Sequence, residues 1–295
     1  MGAITPLGLD IPSYWEGLKS GESGITAITR FDAERFDSRI AAEVKGFDPS
    51  QYLDRKELRH TDRFTQFSVA AALQAVEQSR LKIDAANASR IGVIIGVGMG
   101  GLNTLLQQHN VLREKGPDRV SPFLVPMMIP DMASGQVAIT LGAKGPNFCT
   151  TSACASGADG IGVAFEFIKG GVADAIIAGG AESVINDMAF AGFCAARALS
   201  TRNDEPQKAS RPFDADRDGF VIGEGAAVLV LERLESAVNR GASILAEVAG
   251  YGATGDAYHI TQPAEGGEGG VRAMKAALEE AGMQPGDVDL SLIHI

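Results

Sequence analysis

Cysteine is scarce in this chain of 295 residues, with only Cys149, Cys154 and Cys194. An odd and sparse set excludes a disulfide scaffold and leads us to expect a reducing compartment, the cytoplasm. Aromatic residues are only 6 % of the chain, with a single Trp. Basic residues are outnumbered, 26 Lys and Arg against 37 Asp and Glu, which gives a net charge of −11. A chain so acidic is a poor general nucleic-acid binder, although a local basic patch for an acidic protein partner stays open. No apolar run reaches the roughly 20 residues of a membrane span. The opening MGAITPLGLDIPSYW has neither the basic nor the apolar region of a signal peptide, so no membrane association is expected. Short repeats and low-complexity segments are missing too. Small and apolar residues are plentiful: 36 Gly, and a hydrophobic fraction of 45 % that supports a sizeable core and excludes disorder as the main state.

The apolar pattern predicts alternating strands and helices. Residues 1–60 read as loop-rich with one strand at 40–46. An Ala-rich segment, 61–80, reads as a buried helix, and RIGVIIG at 90–96 as a buried strand. Leu102, Leu105, Leu106 and His109 recur at helical spacing. Residues 117–130 carry four prolines and are expected to be mainly loop. Further on we expect a helix at 135–141, a strand at 146–153, a helix marked by Ala158, Ile161, Phe165 and Ile168, and a strand at 173–178. Strands at 226–232 and 244–250 are expected around a short helix, followed by a last helix striped by Val271, Met274, Leu278 and Ala281. This alternation argues for α/β, with helices covering a mixed sheet.

Three motifs offer chemistry. Gly96, Gly98 and Gly101 fit GxGxxG after a strand and before a helix. The acidic strand end that should follow is replaced by EKGPDRVSPFLVP, so a dinucleotide-binding oxidoreductase is the weaker alternative, and the glycines read as a sharp turn beside a cavity. Asp214, Asp216, Asp218 and Gly219 imitate the start of an EF-hand loop, yet position 12 is Gly225, with Glu224 one place early. A hydrogen-bonded acidic turn near Arg211 and Arg217 is expected instead of a calcium site. The third motif, TTSACASG at 150–157, joins a strand to a helix opening at or near Cys154. A thiol there faces unpaired N–H groups and the positive end of a helix dipole, which favours a reactive thiolate. The same N–H groups suit the oxyanion of a tetrahedral adduct. Cys149 and Cys194 read as small buried hydrophobes.

The segment TTSACASGADGIGVAFEFIKGGVADAIIAGGAES resembles the active-site region of the elongating β-ketoacyl-acyl-carrier-protein synthases. AARALSTRNDEPQKASRPFDADRDGFVIGEGAAVLVLE is similar again, most like the synthase II type, and so is GDAYHITQP. The likeness runs from about residue 3 to about residue 289. It implies a thiolase-like layered fold: an N-terminal half, 1–241, nearly complete and bearing the nucleophile, and a C-terminal half only begun at 242–289. It also implies a homodimer and a decarboxylative condensation without cofactor or metal. An acyl group passes from acyl carrier protein to Cys154, and the carbanion left when malonyl-carrier protein loses CO₂ attacks it. By the same resemblance Phe193 lies beside the nucleophile, Thr261 lines the malonyl and pantetheine side, and Met99 is an apolar gate to the acyl pocket. Lys56, Arg59 and Arg197 match the basic patch that docks the acidic carrier. Arg119 joins them, although the neighbouring family base is here Asp118. His60 replaces a basic residue, while His109 and His259 read as structural or surface residues. A polyketide ketosynthase or a non-condensing partner subunit is the rival within the superfamily, and the presence of Cys154 speaks against the latter.

The resemblance also sets expectations about the ends. Met1 is placed inside the first Gly-containing turn, with the family's first core strand missing. The family's N-A-H-G-T and G-H-x-x-G-A-A-G segments are not found, so this fragment is expected to have little condensing activity alone. The tail LSLIHI at 290–295 puts His294 where the first catalytic His would stand, between Ile293 and Ile295. LSLIHI is also encoded by a string that resembles a transposase mosaic-end adapter, so 290–295 reads as a non-native tail and His294 is not counted as catalytic.

Overall fold

The computed structural model describes residues 1–291, and His294 lies outside them. Five strands form one mixed sheet in the order β1-β7-β6-β4-β5: Gly2–Ile4 (β1), Gly225–Glu232 (β7), Ala175–Glu182 (β6), Ile91–Gly96 (β4) and Asn147–Phe148 (β5). β4 runs parallel to β5 and β6, β7 antiparallel to β6, and β1 antiparallel to β7. Ile25–Ala27 (β2) and Ile40–Ala42 (β3) make a separate antiparallel pair. The expected mixed α/β architecture is therefore present.

The two faces of the sheet follow from the period of two along each strand. Val93, Ile95, Ala175 and Ile177 point into a core shared with Phe64, Phe67, Ala71 and Ala75 of helix α2 (Arg63–Ser79) and with Val137 of α5 (Met132–Leu141). Ile94, Ile176 and Ala178 point the other way, onto Ala164, Ile161 and Phe167 of α6 (Ser156–Lys169). Because both faces are covered, β4 reads as an unbroken apolar run. α6 lies very close to the sheet. A Cβ on Gly96 would stand 1.9 Å from the Ser156 carbonyl oxygen, and one on Gly160 2.9 Å from that of Gly179. Gly96→Ala must therefore push the helix off the strand. We expect a loss of about 1–3 kcal/mol in denaturant unfolding, together with slower alkylation of Cys154; a melt identical to the parent would refute this packing.

A buried ionic cluster ties the first helix-sheet unit together. Glu224, just before β7, accepts hydrogen bonds from Arg30 Nη2 (2.7 Å), Arg63 Nη2 (3.1 Å), Ser183 Oγ (2.7 Å) and Val44 N–H (3.0 Å). Burial alone would raise its carboxyl pKa, but the hydrogen bond and charge of Arg63, with Ser183 and Arg30, outweigh it and leave the pKa lowered.

Several expectations need correction. Residues 1–60 contain a helix, α1 (Ile11–Lys19), whose N-cap Asp10 accepts the Ser13 N–H at 2.8 Å. Gly2–Ile4, within the stretch read as loop-rich, pair with Val228, Ala227 and Ala226 as the edge strand β1. The segment 117–130 is not mainly loop: Leu124–Met128 form a helix, α4, after a 3-10 turn at Pro117–Arg119. The preceding helix α3 spans Leu102–Lys115 as its periodicity predicts. The strand expected at 146–153 shortens to β5, because the chain turns away at Thr150 to build the Cys154 turn. A further helix, α7 (Asp187–Ala195), is capped by the Asn186 side chain on the Ala189 N–H, 2.8 Å.

The second half differs most. After α8 (Leu234–Asn239), residues 244–250 form no strand among the described residues. A strand exists only with a partner, and this segment instead lies along α9 (Glu268–Ala281). Cβ atoms on Gly250 and Gly252 would fall 2.1 Å and 2.0 Å from the carbonyl oxygens of Ala277 and Ala273. Ile244 and Leu245 are exposed. Among the described residues, no helix is long and apolar enough to cross a membrane.

Candidate active site

The turn after β5 is built by its own hydroxyls. Thr150 Oγ1 donates to the Ser156 carbonyl (2.9 Å), Ser156 Oγ donates to the Ala153 carbonyl (2.6 Å), and the Ser152 N–H donates to Ser156 Oγ (3.0 Å). These bonds hold Ala153 at φ +54°, a left-handed conformation that a residue with a Cβ rarely adopts. The result is a sharp elbow: Cys154 sits in a 3-10 turn, Ala153–Ala155, and α6 opens two residues later than the thiol. Cys154 is exposed. Ala155 N–H donates to Ser152 and Ser156 N–H to Ala153, whereas the Cys154 N–H has no partner among the described residues. Thiol and unpaired amide thus leave the same point of the chain.

Asp159 in the first turns of α6 braces this elbow. It accepts from the Ser152 hydroxyl and, at 2.6 Å, from the Tyr251 hydroxyl. Burial and the neighbouring Asp159 carboxylate push the Tyr251 phenol up to about 12. The Tyr251 ring fills the space opened by Gly162, where a Cβ would meet it at 2.1 Å. The segment after α8 is thereby bolted to the nucleophile turn. Tyr251→Phe is expected to lower stability by about 1.5 kcal/mol, the value of a hydrogen bond to a charged acceptor; a thermal melt unchanged from the parent would show that the bolt carries nothing.

The glycine-rich turn after β4 stands next to the elbow. A Cβ on Gly98 would lie 3.6 Å from the Ala153 carbonyl oxygen. Its amides are already occupied: Gly98, Met99 and Gly100 donate to Glu182 at the end of β6, at 2.9, 2.8 and 3.3 Å. A dinucleotide phosphate would have to displace that carboxylate, so the GxGxxG match has its anion from within. Burial raises the Glu182 pKa against the pull of these donors. Met99 is exposed. Phe193 on α7 is half-buried, meets Phe220 edge-on at 5.3 Å and shares a cluster with Leu102, the first residue of α3. Cys154, Met99 and Phe193 therefore belong to adjoining elements. Among the described residues no hydrogen bond joins Thr261 to them; its N–H donates to His259 Nδ1 (3.2 Å), as does that of Gln262 (3.1 Å).

The other two thiols are half-buried, not buried as expected. Cys149 packs against the α2 core and Cys194 against the Phe190 cluster. Burial pushes the Cys149 thiol up. The acidic turn forms as predicted: Arg211 Nη2 donates to the Asp216 carbonyl (2.8 Å) and Asp218 (3.2 Å), and Arg217 to the Asp214 carbonyl (2.9 Å). Lys56, Arg59 and Arg119 are exposed, and none forms an ion pair among the described residues. Their two loops meet where His60 stacks on Phe123, ring centroids 3.6 Å apart. Arg197 is exposed on a different element, the turn after α7, at φ +54°.

A cavity of about 730 Å³ opens at the other end of the sheet, lined by Ile91, Arg90, Asp174, Glu232 and Arg240 among others. It begins at the first residue of β4, whereas the elbow abuts the last. Two of its three arginines are paired from within, Arg90 with Asp174 at 2.9 Å and Arg240 with Glu232 at 2.7 Å. The reactive geometry is at the elbow.

Sequence reasoning missed Glu182, Asp159 and Tyr251. Only Glu182 had a visible signal, a carboxylate closing a buried strand whose neighbour ends in a glycine turn.

Comparison with known proteins gives a consistent result. The β-ketoacyl synthase N-terminal domain matches residues 1–237, and the β-ketoacyl synthase C-terminal domain matches residues 245–294. A 3-oxoacyl-[acyl-carrier-protein] synthase 2 of Staphylococcus aureus is 54 % identical over 294 residues, covering 100 % of this chain and 73 % of that protein. The synthase 2 of Synechocystis sp. is 54 % identical over 285 residues, 97 % of this chain and 68 % of its own length. Among solved structures, a β-ketoacyl synthase from Burkholderia phymatum superposes with a TM-score of 0.87 at 36 % identity, over 96 % of this chain and 69 % of that one. A type II polyketide ketosynthase, bound to a hexaketide and in complex with its acyl-carrier protein, gives 0.86 at 31 % identity, over 98 % and 70 %.

Proposed function

Because this chain belongs to the β-ketoacyl synthase family, we propose that its reaction is the condensation that elongates fatty acids on acyl carrier protein, with Cys154 as the acyl acceptor. One observation carries the assignment of the nucleophile: an exposed thiol and an amide unpaired among the described residues issue from one strained turn just before α6. The Cys154 sulfur attacks the carrier-bound thioester, its own N–H steadies the oxyanion, and the carrier thiol leaves. Malonyl-carrier protein then loses CO₂, and the carbanion attacks the Cys154 thioester. The product is a 3-oxoacyl-carrier protein two carbons longer, and the Cys154 thiolate is free again. No cofactor or metal enters this cycle.

Met99 and Phe193 flank the acyl chain, and Thr261 serves the malonyl arm. Lys56, Arg59 and Arg119, joined by the His60–Phe123 stack, offer unpaired cations to an acidic carrier, and Arg197 extends the patch. The ketosynthase with its acyl-carrier protein among the structural neighbours supports a carrier as partner. We assign residues 1–241 to the first half of the thiolase-like fold and 242–289 to the second. A cytoplasmic homodimer is the proposed state, supported by the open edge of β5 and by the exposed Leu105 and Leu112 on α3 and Phe123 and Val125 at α4. The fatty-acid relatives at 54 % identity favour this reading over a polyketide one, whose neighbour stands at 31 %.

The docking claim is tested by charge reversal. Lys56→Glu with Arg59→Glu should slow acyl transfer from acyl carrier protein about tenfold and increase with falling salt. Transfer from a carrier-free thioester should stay unchanged. Equal slowing of both donors would place these residues outside the docking surface.

A further inference from the structure

The turn between β4 and α3 leaves no amide idle. Val97 N–H donates to the Thr150 carbonyl (3.1 Å) and Gly101 N–H to that of Met128 (2.9 Å). Between them, the N–H groups of Gly98, Met99 and Gly100 converge on the one carboxylate of Glu182. Successive N–H groups aimed at one point form an anion-binding nest, and here the chain supplies the anion. The turn has little room to move. A Cβ on Gly100, which lies at φ +74°, would meet the Met128 carbonyl at 2.8 Å, and one on Gly101 the Met127 carbonyl at 2.1 Å. The turn is therefore gripped between the end of α4 and Glu182. The sheet sets the position of that grip, since β4 and β6 end side by side, Gly96 opposite Gly180.

In the middle of this rigid turn Met99 is 43 % exposed. Its neighbour Gly98 abuts Ala153, the residue before Cys154. We propose that Glu182 is a positioning residue: by clamping three consecutive amides it fixes where Met99 stands over the approach to Cys154, and so selects the length of acyl chain the thiol accepts. This rests on the reading of Met99 as the acyl-pocket gate. Glu182 touches no reacting atom, and its effect is carried by the backbone it holds.

The test uses the 295-residue chain and follows Cys154 acylation by intact mass with butanoyl and dodecanoyl thioesters of N-acetylcysteamine. Glu182→Ala removes the acceptor of charge-assisted bonds and should change the dodecanoyl-to-butanoyl rate ratio about tenfold. Alkylation of Cys154 by iodoacetamide, which needs no pocket, should stay within about twofold. Formate, small enough to refill the vacated nest, should restore the ratio, while chloride at equal ionic strength should not. A folded Glu182→Ala with an unchanged ratio, or with a changed ratio that formate leaves untouched, overturns the proposal. If that variant does not fold, hydrogen exchange on the parent chain decides. Slow exchange at Gly98, Met99 and Gly100 is expected, and exchange at the rate of an open loop overturns the clamp. Met99→Ala separates the gate from the residue that positions it. An unchanged ratio there defeats the gate itself, whereas a shift in Met99→Ala without one in Glu182→Ala defeats only the role of Glu182.

Discussion

Glu224→Ala should lower stability by about 3 kcal/mol or more, because it strips Arg63 and Arg30 of the carboxylate that compensates their partial burial. The Glu224 side chain is only 1 % exposed, and that of Arg63 22 %. For a chain of this size the loss corresponds to a fall in Tm of roughly 6–12 °C. The pH dependence carries its own signature. The folded carboxyl is held below its ordinary value of 4.5. Its contribution is therefore complete above that value and is lost as the pH falls toward the folded one. Glu224→Gln should flatten the decline in stability below about pH 4.5 relative to the parent chain. Denaturant titrations at pH 7 and in that acid window check both statements. A variant that melts with the parent at neutral pH would show that the cluster is not a keystone.

Cys154→Ala should abolish covalent acyl loading, a loss beyond about a thousandfold, since no other group forms the thioester. The fold should survive: the side chain is exposed and makes no hydrogen bond among the described residues, and the elbow is held by Thr150, Ser152 and Ser156. The melt should stay within about 0.5 kcal/mol of the parent, as for other surface substitutions. Cys154→Ser should be as deficient toward thioesters, because a hydroxyl is a far weaker nucleophile than a thiol unless a general base takes its proton. Acylation persisting in Cys154→Ala would move the chemistry to another residue.

Legibility in the sequence followed the locality of the physics. The runs in β4 and β7 and the Ala-rich face of α2 are local patterns with enough length to be unambiguous, and they appear within a residue or two of their expected bounds. Short helices were hidden. α1 carries an Asp10 cap and Pro12, yet sits among loop residues, and α7 is so rich in Ala, Gly and Phe that no polar face marks it. Residues 244–250 show the opposite failure: their apolar alternation suits a strand, but pairing is a property of two segments and the pattern describes one. At the site, Cys154 was visible because strand, hydroxyls and glycine-containing helix follow one another directly. Tyr251 is not, since it reaches Asp159 from over 90 residues away across a helix face, and the signal at Glu182 becomes legible only once the register sets β6 beside β4 and brings it to Gly98, 84 residues away.

The most direct test of the central claim is site mapping after brief exposure to a thiol-directed acyl analogue. An adduct at Cys154 exceeding those at Cys149 and Cys194 by about tenfold or more is expected, because exposure and the elbow's amide favour that sulfur alone. Comparable modification of all three cysteines, or preference for either half-buried one, would contradict it.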